Sequence, residues 1–183
     1  LIIEQASASA GLSEKDKKEL VAEGKMLRAM IYYYQAKHCG RVIWVDRTLQ
    51  VDDEFNLPLT ESIDKTYDLI LNDLDEAIAG LPETYPAGRA NANAARALKS
   101  EVCLTAAAYS TDAARKKKLW EQAVVAVDAI RGYSLDANYG GMFNQENPYS
   151  SSEIILARYF SKENTNGGDT YMQMVIPNQG NDN

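Results

Sequence analysis

The chain has 183 residues, of which 45% are apolar and 25% charged, so it is long enough and apolar enough to bury a globular core. Nineteen Lys and Arg stand against 26 Asp and Glu for a net charge of -7, and the basic footprint that nucleic-acid binding needs is missing. No apolar run approaches the ~18 to 20 residues of a membrane span, and the single histidine, His38, excludes a multi-histidine metal site.

The start, Leu1-Ile2-Ile3-Glu4, has neither the charged region nor the apolar run of a targeting signal. The other end, Pro177 to Asn183, offers no helix or strand to close on, so both ends read as edges of a window within a longer polypeptide. The first helix is expected from about Ser13 to Cys39. Ser13 is a suitable N-cap, Glu14 and Asp16 complement the dipole, and Gly40 stops the helix. Leu20, Gly24, Leu27, Ile31, Tyr34 and His38 recur at the helical spacing. Between Met26 and Ala36 only Arg28 and Gln35 are polar, which predicts burial on more than one face.

Residues 41–61 make a connection longer than a helix hairpin requires. It opens on the β-prone run Val42-Ile43-Trp44-Val45 and passes Asp52-Asp53-Glu54 to reach Pro58. A second helix is expected from about Ser62 to Ala79, with Ile63, Tyr67, Ile70, Leu74 and Ile78 as its stripe. Asp68, Asn72, Asp73, Asp75 and Glu76 mark its wet side. A third helix, from about Ala92 to Ser110, is capped by Asn91 or Asn93. Its stripe is Ala95, Leu98, Val102, Ala106 and Tyr109, and its many alanines allow close approach by a neighbour.

The fourth helix is expected from about Leu119 to Arg131, with Trp120, Ala123, Val124, Val127 and Ile130 inward and Gly132 as its stop. The preceding Arg115-Lys116-Lys117-Lys118 would oppose the dipole at a helix N-terminus, which predicts an exposed connection. Beyond Tyr133 the texture changes. Glu153 to Tyr159 and Tyr171 to Ile176 read as short extended pieces with room for a small hairpin. The expected organisation is a helical scaffold over residues 1–132, an irregular segment over 133–183, and more chain outside both. A clean 34-residue repeat is missing, yet stacked helix pairs fit all four helices, with the third and fourth as the best single unit.

Catalytic constellations fail on geometry. His38 and Cys39 are adjacent on a helix and point about 100° apart, so they cannot form a nucleophile–base dyad. Asp52-Asp53-Glu54 lacks the alternating oxygen ligands and glycine of a calcium loop. Asp73 and Asp75 fall on different faces, against a paired-carboxylate hydrolase site. Neither Gly140-Gly141 nor Gly167-Gly168 sits in a phosphate-cradling pattern. Cys39 and Cys103 are apolar filler or a helix-to-helix disulfide. Tyr32-Tyr33-Tyr34 reads as interhelical packing.

Trp44 differs because it lies outside a helix, beside Asp46 and Arg47. An aromatic face with a carboxylate and a guanidinium nearby can grip a sugar ring by stacking and hydrogen bonding. The plainer role is a Trp that plugs the edge of the bundle. The expectation is a binding protein, not an enzyme, with no cofactor and no metal, and Trp44, Asp46 and Arg47 as candidate ligand contacts.

In chain order these segments resemble the SusD/RagB outer-membrane nutrient-binding lipoproteins of the Bacteroidetes. Ala22-Glu23-Gly24-Lys25-Met26-Leu27-Arg28-Ala29 with Tyr32-Tyr33-Tyr34 looks like the family's "GEAkFLRAfyYF" helix. Gly40-Arg41-Val42-Ile43-Trp44-Val45 sits where the family reads "GdVPLV", with Ile43 in place of the usual Pro and Trp44 in place of an aliphatic residue. Tyr67 to Ala77 with Leu81-Pro82 is similar to "vYdfIi.DLdeA…LP", and Gly88-Arg89-Ala90 with Ala94 to Leu98 to "GRat..AAkALlArvyLy". Trp120 and Ala123 fit the following helix, and Gly132 to Leu135, Tyr139, Phe143 and Glu153-Ile154-Ile155 complete the series.

The resemblance implies a mainly α fold of tetratricopeptide-like stacked helix pairs, a SusD-like α-α superhelix with a short β or irregular C-terminal part. It also implies a cell-surface lipoprotein of the outer membrane, held by a lipid anchor outside this segment. Such a protein passes oligosaccharide, or in some members peptide, to a SusC-like TonB-dependent transporter. A tetratricopeptide-like protein–protein adaptor that does not bind glycan is the competing function.

Overall fold

The computed structural model describes residues 1–51, 56–85, 88–140 and 151–157. Five helices account for their regular structure: α1 (Ile2–Ala8), α2 (Glu14–Cys39), α3 (Ile63–Gly80), α4 (Ala92–Tyr109) and α5 (Ala113–Asp128). Each of α2, α3 and α4 packs on the next helix in sequence, and α1 lies on α2. The result is a helical stack.

The caps are local and follow the side chains. The Ser13 hydroxyl accepts the Asp16 N–H, Ser62 accepts from Lys65, and Asn91 accepts from Ala94. Gly40 ends α2 at a φ of 74°, a left-handed value that glycine adopts without steric cost.

Two apolar clusters hold the stack together. One joins Ala29, Tyr33 and Ala36 of α2 to Tyr67, Ile70 and Leu74 of α3, Val102 and Ala106 of α4, and Leu119 and Ala123 of α5. The other joins Ala22 and Met26 to Ala77, Leu81 and the start of α4, and Ile155 packs against it from the C-terminal side. Between α2 and α4, the buried Tyr33 hydroxyl donates to Glu101 at 2.9 Å and shares a 2.8 Å hydrogen bond with Thr105.

The structure corrects the sequence reading at five points. First, α1 was not expected. Second, α2 is not buried on several faces: its inner row is Ala22, Met26, Ala29, Tyr33 and Ala36, while Ile31 and Tyr34 are 59% and 65% exposed. Third, Asp73 does not lie on a wet face but is buried on α3.

Fourth, α5 begins at Ala113, so the basic run is helical. Asp112 accepts the N–H groups of Ala114 and Arg115, and the Arg115 guanidinium pairs with Asp64 and Asp68 of α3, which offset the repulsion expected there. On this helix Leu119, Ala123 and Ala126 are buried, whereas Trp120, Val124 and Val127, expected inward, face out.

Fifth, residues 153–157 form turns and bends, not a strand, and no strand occurs among the described residues. Arg158, Tyr159 and the second extended piece, Tyr171 to Ile176, lie outside the described residues, as do Asp52 to Glu54 and Phe143.

Candidate functional site

The connection after α2 folds back along the helix it has just left. Val42 is buried and exchanges hydrogen bonds with Thr60: the Thr60 N–H donates to the Val42 carbonyl at 2.8 Å, and the Val42 N–H to the Thr60 hydroxyl at 3.3 Å. Three residues further on, the Val45 N–H donates to the Tyr32 hydroxyl at 2.7 Å. Tyr32 lies two turns before the end of α2, so the run from Gly40 to Val45 travels backwards beside it.

This path lays the Trp44 indole on Tyr32, with ring centroids 4.3 Å apart and planes 26° from parallel. The Arg28 guanidinium, one turn earlier on α2, is 5.2 Å from the indole centroid. Arg28 is itself fixed by Asp73, to which its Nε and Nη2 donate at 2.6 and 2.7 Å. Hydrogen bonding to Asp73 raises the Arg28 pKa above its ordinary value, and Asp46 adds a smaller attraction from the loop.

Further along, the Thr48 N–H and hydroxyl both donate to the Glu4 carboxylate of α1. These bonds hold the Glu4 carboxyl below its usual pKa. The loop is thus tied to α1, α2 and the start of α3.

The three candidate contacts are consecutive or nearly so in one loop. Trp44 is half-buried, and Asp46 and Arg47 are exposed. Trp44 packs against the first core cluster, so it does seal the bundle edge. Tyr32 and Arg28 take up part of the indole surface that the sequence offered to a sugar. The Arg47 guanidinium donates to the Thr48 carbonyl at 3.4 Å.

Sequence reasoning overlooked the supporting residues Glu4, Arg28, Tyr32 and Asp73. A signal existed for Arg28, because a lone arginine in an apolar stretch of helix needs an acidic partner. Nothing local identified that partner as Asp73, 45 positions away.

Beside the loop, α1, α2 and the connection enclose an apolar groove of about 1010 Å³. Ile2, Leu27, Ile31, Ile43 and Leu59 line it, together with Arg28 and Tyr32. The row of α2 that the neighbouring helices do not cover forms its floor.

Elsewhere the chemistry is spare. Cys39 is exposed, Cys103 is buried, and both are free, so they do not pair. Burial pushes the Cys103 thiol up to about 11. The His38 ring bonds the Tyr34 carbonyl through Nδ1 at 2.8 Å. No group of three or more His, Cys, Asp or Glu positioned to hold a metal ion occurs among the described residues. None of their helices is long and apolar enough to cross a membrane.

No family model matches the chain. It is 25% identical over 158 residues to a SusD-like protein of Bacteroides ovatus, an overlap of 85% of this chain and 29% of that protein. A SusD-like protein of Bacteroides fragilis superposes with a TM-score of 0.69 at 32% identity, over 83% of this chain and 29% of the other. A laminarin-binding SusD-like protein superposes with a TM-score of 0.69 at 25% identity, over 84% of this chain and 33% of the other. The chain therefore spans about a third or less of the length of these relatives.

Proposed function

The chain is a SusD-like family protein, and from that premise we propose that it forms the helical scaffold of a cell-surface nutrient-binding lipoprotein of the outer membrane. In this reading the whole protein captures an oligosaccharide without altering it and passes it to a SusC-like TonB-dependent transporter. The observation that carries the reading is the shared fold with a laminarin-binding relative over 84% of this chain. The loop chemistry is compatible with it. Trp44 offers a rigid aromatic edge, and Asp46 and Arg47 offer an acceptor and a donor to sugar hydroxyls.

A pull-down of the full-length protein from its native membranes in mild detergent tests the transporter partnership. A large barrel co-purifying in stoichiometric amount is the expected result, and a clean monomer without one overturns it. Laminarin titrated against the wild type and Trp44→Ala tests the loop: weaker binding in the variant is expected, and equal binding removes Trp44 from the site.

A second reading, docking of a peptide or protein segment, is favoured by the aliphatic lining of the groove beside the loop. Apolar side chains of a bound segment would fill such a groove better than hydroxyl-rich sugar does. Under that reading Ile31→Glu, and not Trp44→Ala, removes the partner.

A further inference from the structure

Asp73 is 1% exposed on α3, so no surface ligand touches it. Its neighbours on the inner side of that helix are Ile70, Leu74 and Ala77, all fully buried. A leucine at position 73 would pack there without the desolvation cost of a carboxylate. What the carboxylate adds is direction. Both its oxygens are used by Arg28, in a two-pronged bond that fixes the plane of the guanidinium as well as its place. That guanidinium, in turn, sits against the Trp44 ring.

We infer that Asp73 is a positioning residue for Trp44: acting through Arg28, it sets the orientation in which α2 and the connection present the indole. The inference rests on the reading that Trp44 meets the glycan, and it extends that reading from the surface loop into the α2–α3 interface. Tyr32 supplies the other restraint, by stacking on the indole and by accepting the Val45 N–H. Ring and backbone are therefore held by residues one helical turn apart on α2, and of the two restraints on the ring, from Tyr32 and from Arg28, the Arg28 one runs through α3. Trp44 is thereby sensitive to the packing of α2 on α3.

The sequence has two tryptophans, Trp44 and Trp120, so Trp120→Phe leaves Trp44 as the single reporter. The first readout needs no ligand. In the Trp120→Phe background, Asp73→Asn should shift the Trp44 emission and its near-ultraviolet circular dichroism and raise its quenching by acrylamide. Arg28→Lys keeps the charge pair but loses the planar fork. It should do the same, and it serves if Asp73→Asn does not fold. The second readout is laminarin affinity, expected to fall about fivefold in Asp73→Asn, the scale of one cation–π contact. In a Trp44→Ala background, Asp73→Asn should cause no further loss.

Unchanged Trp44 spectra in folded Asp73→Asn and Arg28→Lys variants overturn the inference. So does an equal loss of affinity with and without Trp44, which would mark Asp73 as structural only. Changed spectra with laminarin affinity indifferent to Trp44→Ala would overturn the glycan reading and leave the Asp73–Trp44 coupling standing.

Discussion

Gly80 of α3 lies so close to Ala22 of α2 that a Cβ built on it would stand 2.5 Å from the alanine methyl and 3.3 Å from the Lys18 carbonyl oxygen. The two helix backbones meet here, and the contact has no room for a methyl group. Alanine is the better helix former by about 1 kcal/mol, yet Gly80→Ala should destabilise the fold by about 1–3 kcal/mol because the helices must separate. Urea unfolding measures the sign. A stabilised variant would show that the approach is looser than described.

A second glycine makes a similar contact of different consequence. A Cβ on Gly24 would come 2.9 Å from the Ile3 side chain of α1. Because α1 is a seven-residue helix at the edge of the stack, Gly24→Ala should displace it, with a global cost of less than about 1 kcal/mol. The Glu4–Thr48 bonds would break with it. Faster hydrogen exchange confined to residues 1–9 and to the Thr48 amide is the expected signature.

Removing one partner of the Arg28–Asp73 pair should be far more costly than removing both. Asp73→Ala leaves the guanidinium without its acceptors and should lose about 3–5 kcal/mol. Replacing both, with Arg28→Met and Asp73→Leu, should recover most of that loss, since two apolar side chains fit the interface without desolvation. Chemical denaturation of the three variants decides the point. Equal losses in the single and double variants would mean that packing volume, not charge, dominates.

The thiols separate by burial. Cys39 is exposed and Cys103 fully buried, so a thiol reagent should modify one cysteine in the native protein and two after unfolding. The Cys103 pKa is raised from 9.0 to about 11, so the folded state holds a proton that the unfolded state has released. The associated stability is fully present below pH ~9 and lost as the pH climbs through ~11. The buried Tyr33 and Tyr67, each pushed up from 10.0 to about 12 by burial, extend that alkaline loss upward. Cys103→Ala should lessen the loss between pH 9 and 11 but not above it. Thermal melts across that range are the check.

What the sequence shows clearly is whatever depends on neighbours within one turn. Ser13, Ser62 and Asn91 cap their helices because a cap needs only its own side chain and an N–H three residues away. The facing of α2 and α5 is harder to read, because each carries two apolar rows. Small Ala residues permit the closest approach and go inside, which leaves Leu27, Ile31, Trp120 and Val124 on the outer side. Hydrophobicity alone ranks those large residues as the core.

Helix α1 was missed because seven residues are too few to establish a period. Asp73 was misplaced because a carboxylate near other carboxylates reads as solvated, and its guanidinium partner lies on another helix. Of the candidate site, the sequence marks the loop and its indole. The structure adds Tyr32, Arg28 and Glu4, which fix where that loop lies.

The hydrogen bond from the Val45 N–H to Tyr32 divides responsibilities along the connection. Up to Val45 the connection takes its coordinates from α2 and from Thr60, as a gauge mark takes its place from a ruler. Chain inserted or deleted between Thr48 and Thr60 would leave those restraints on the indole in place. A new ligand preference could then be acquired by rewriting the outer part of the connection alone, while the helical stack keeps the same blueprint.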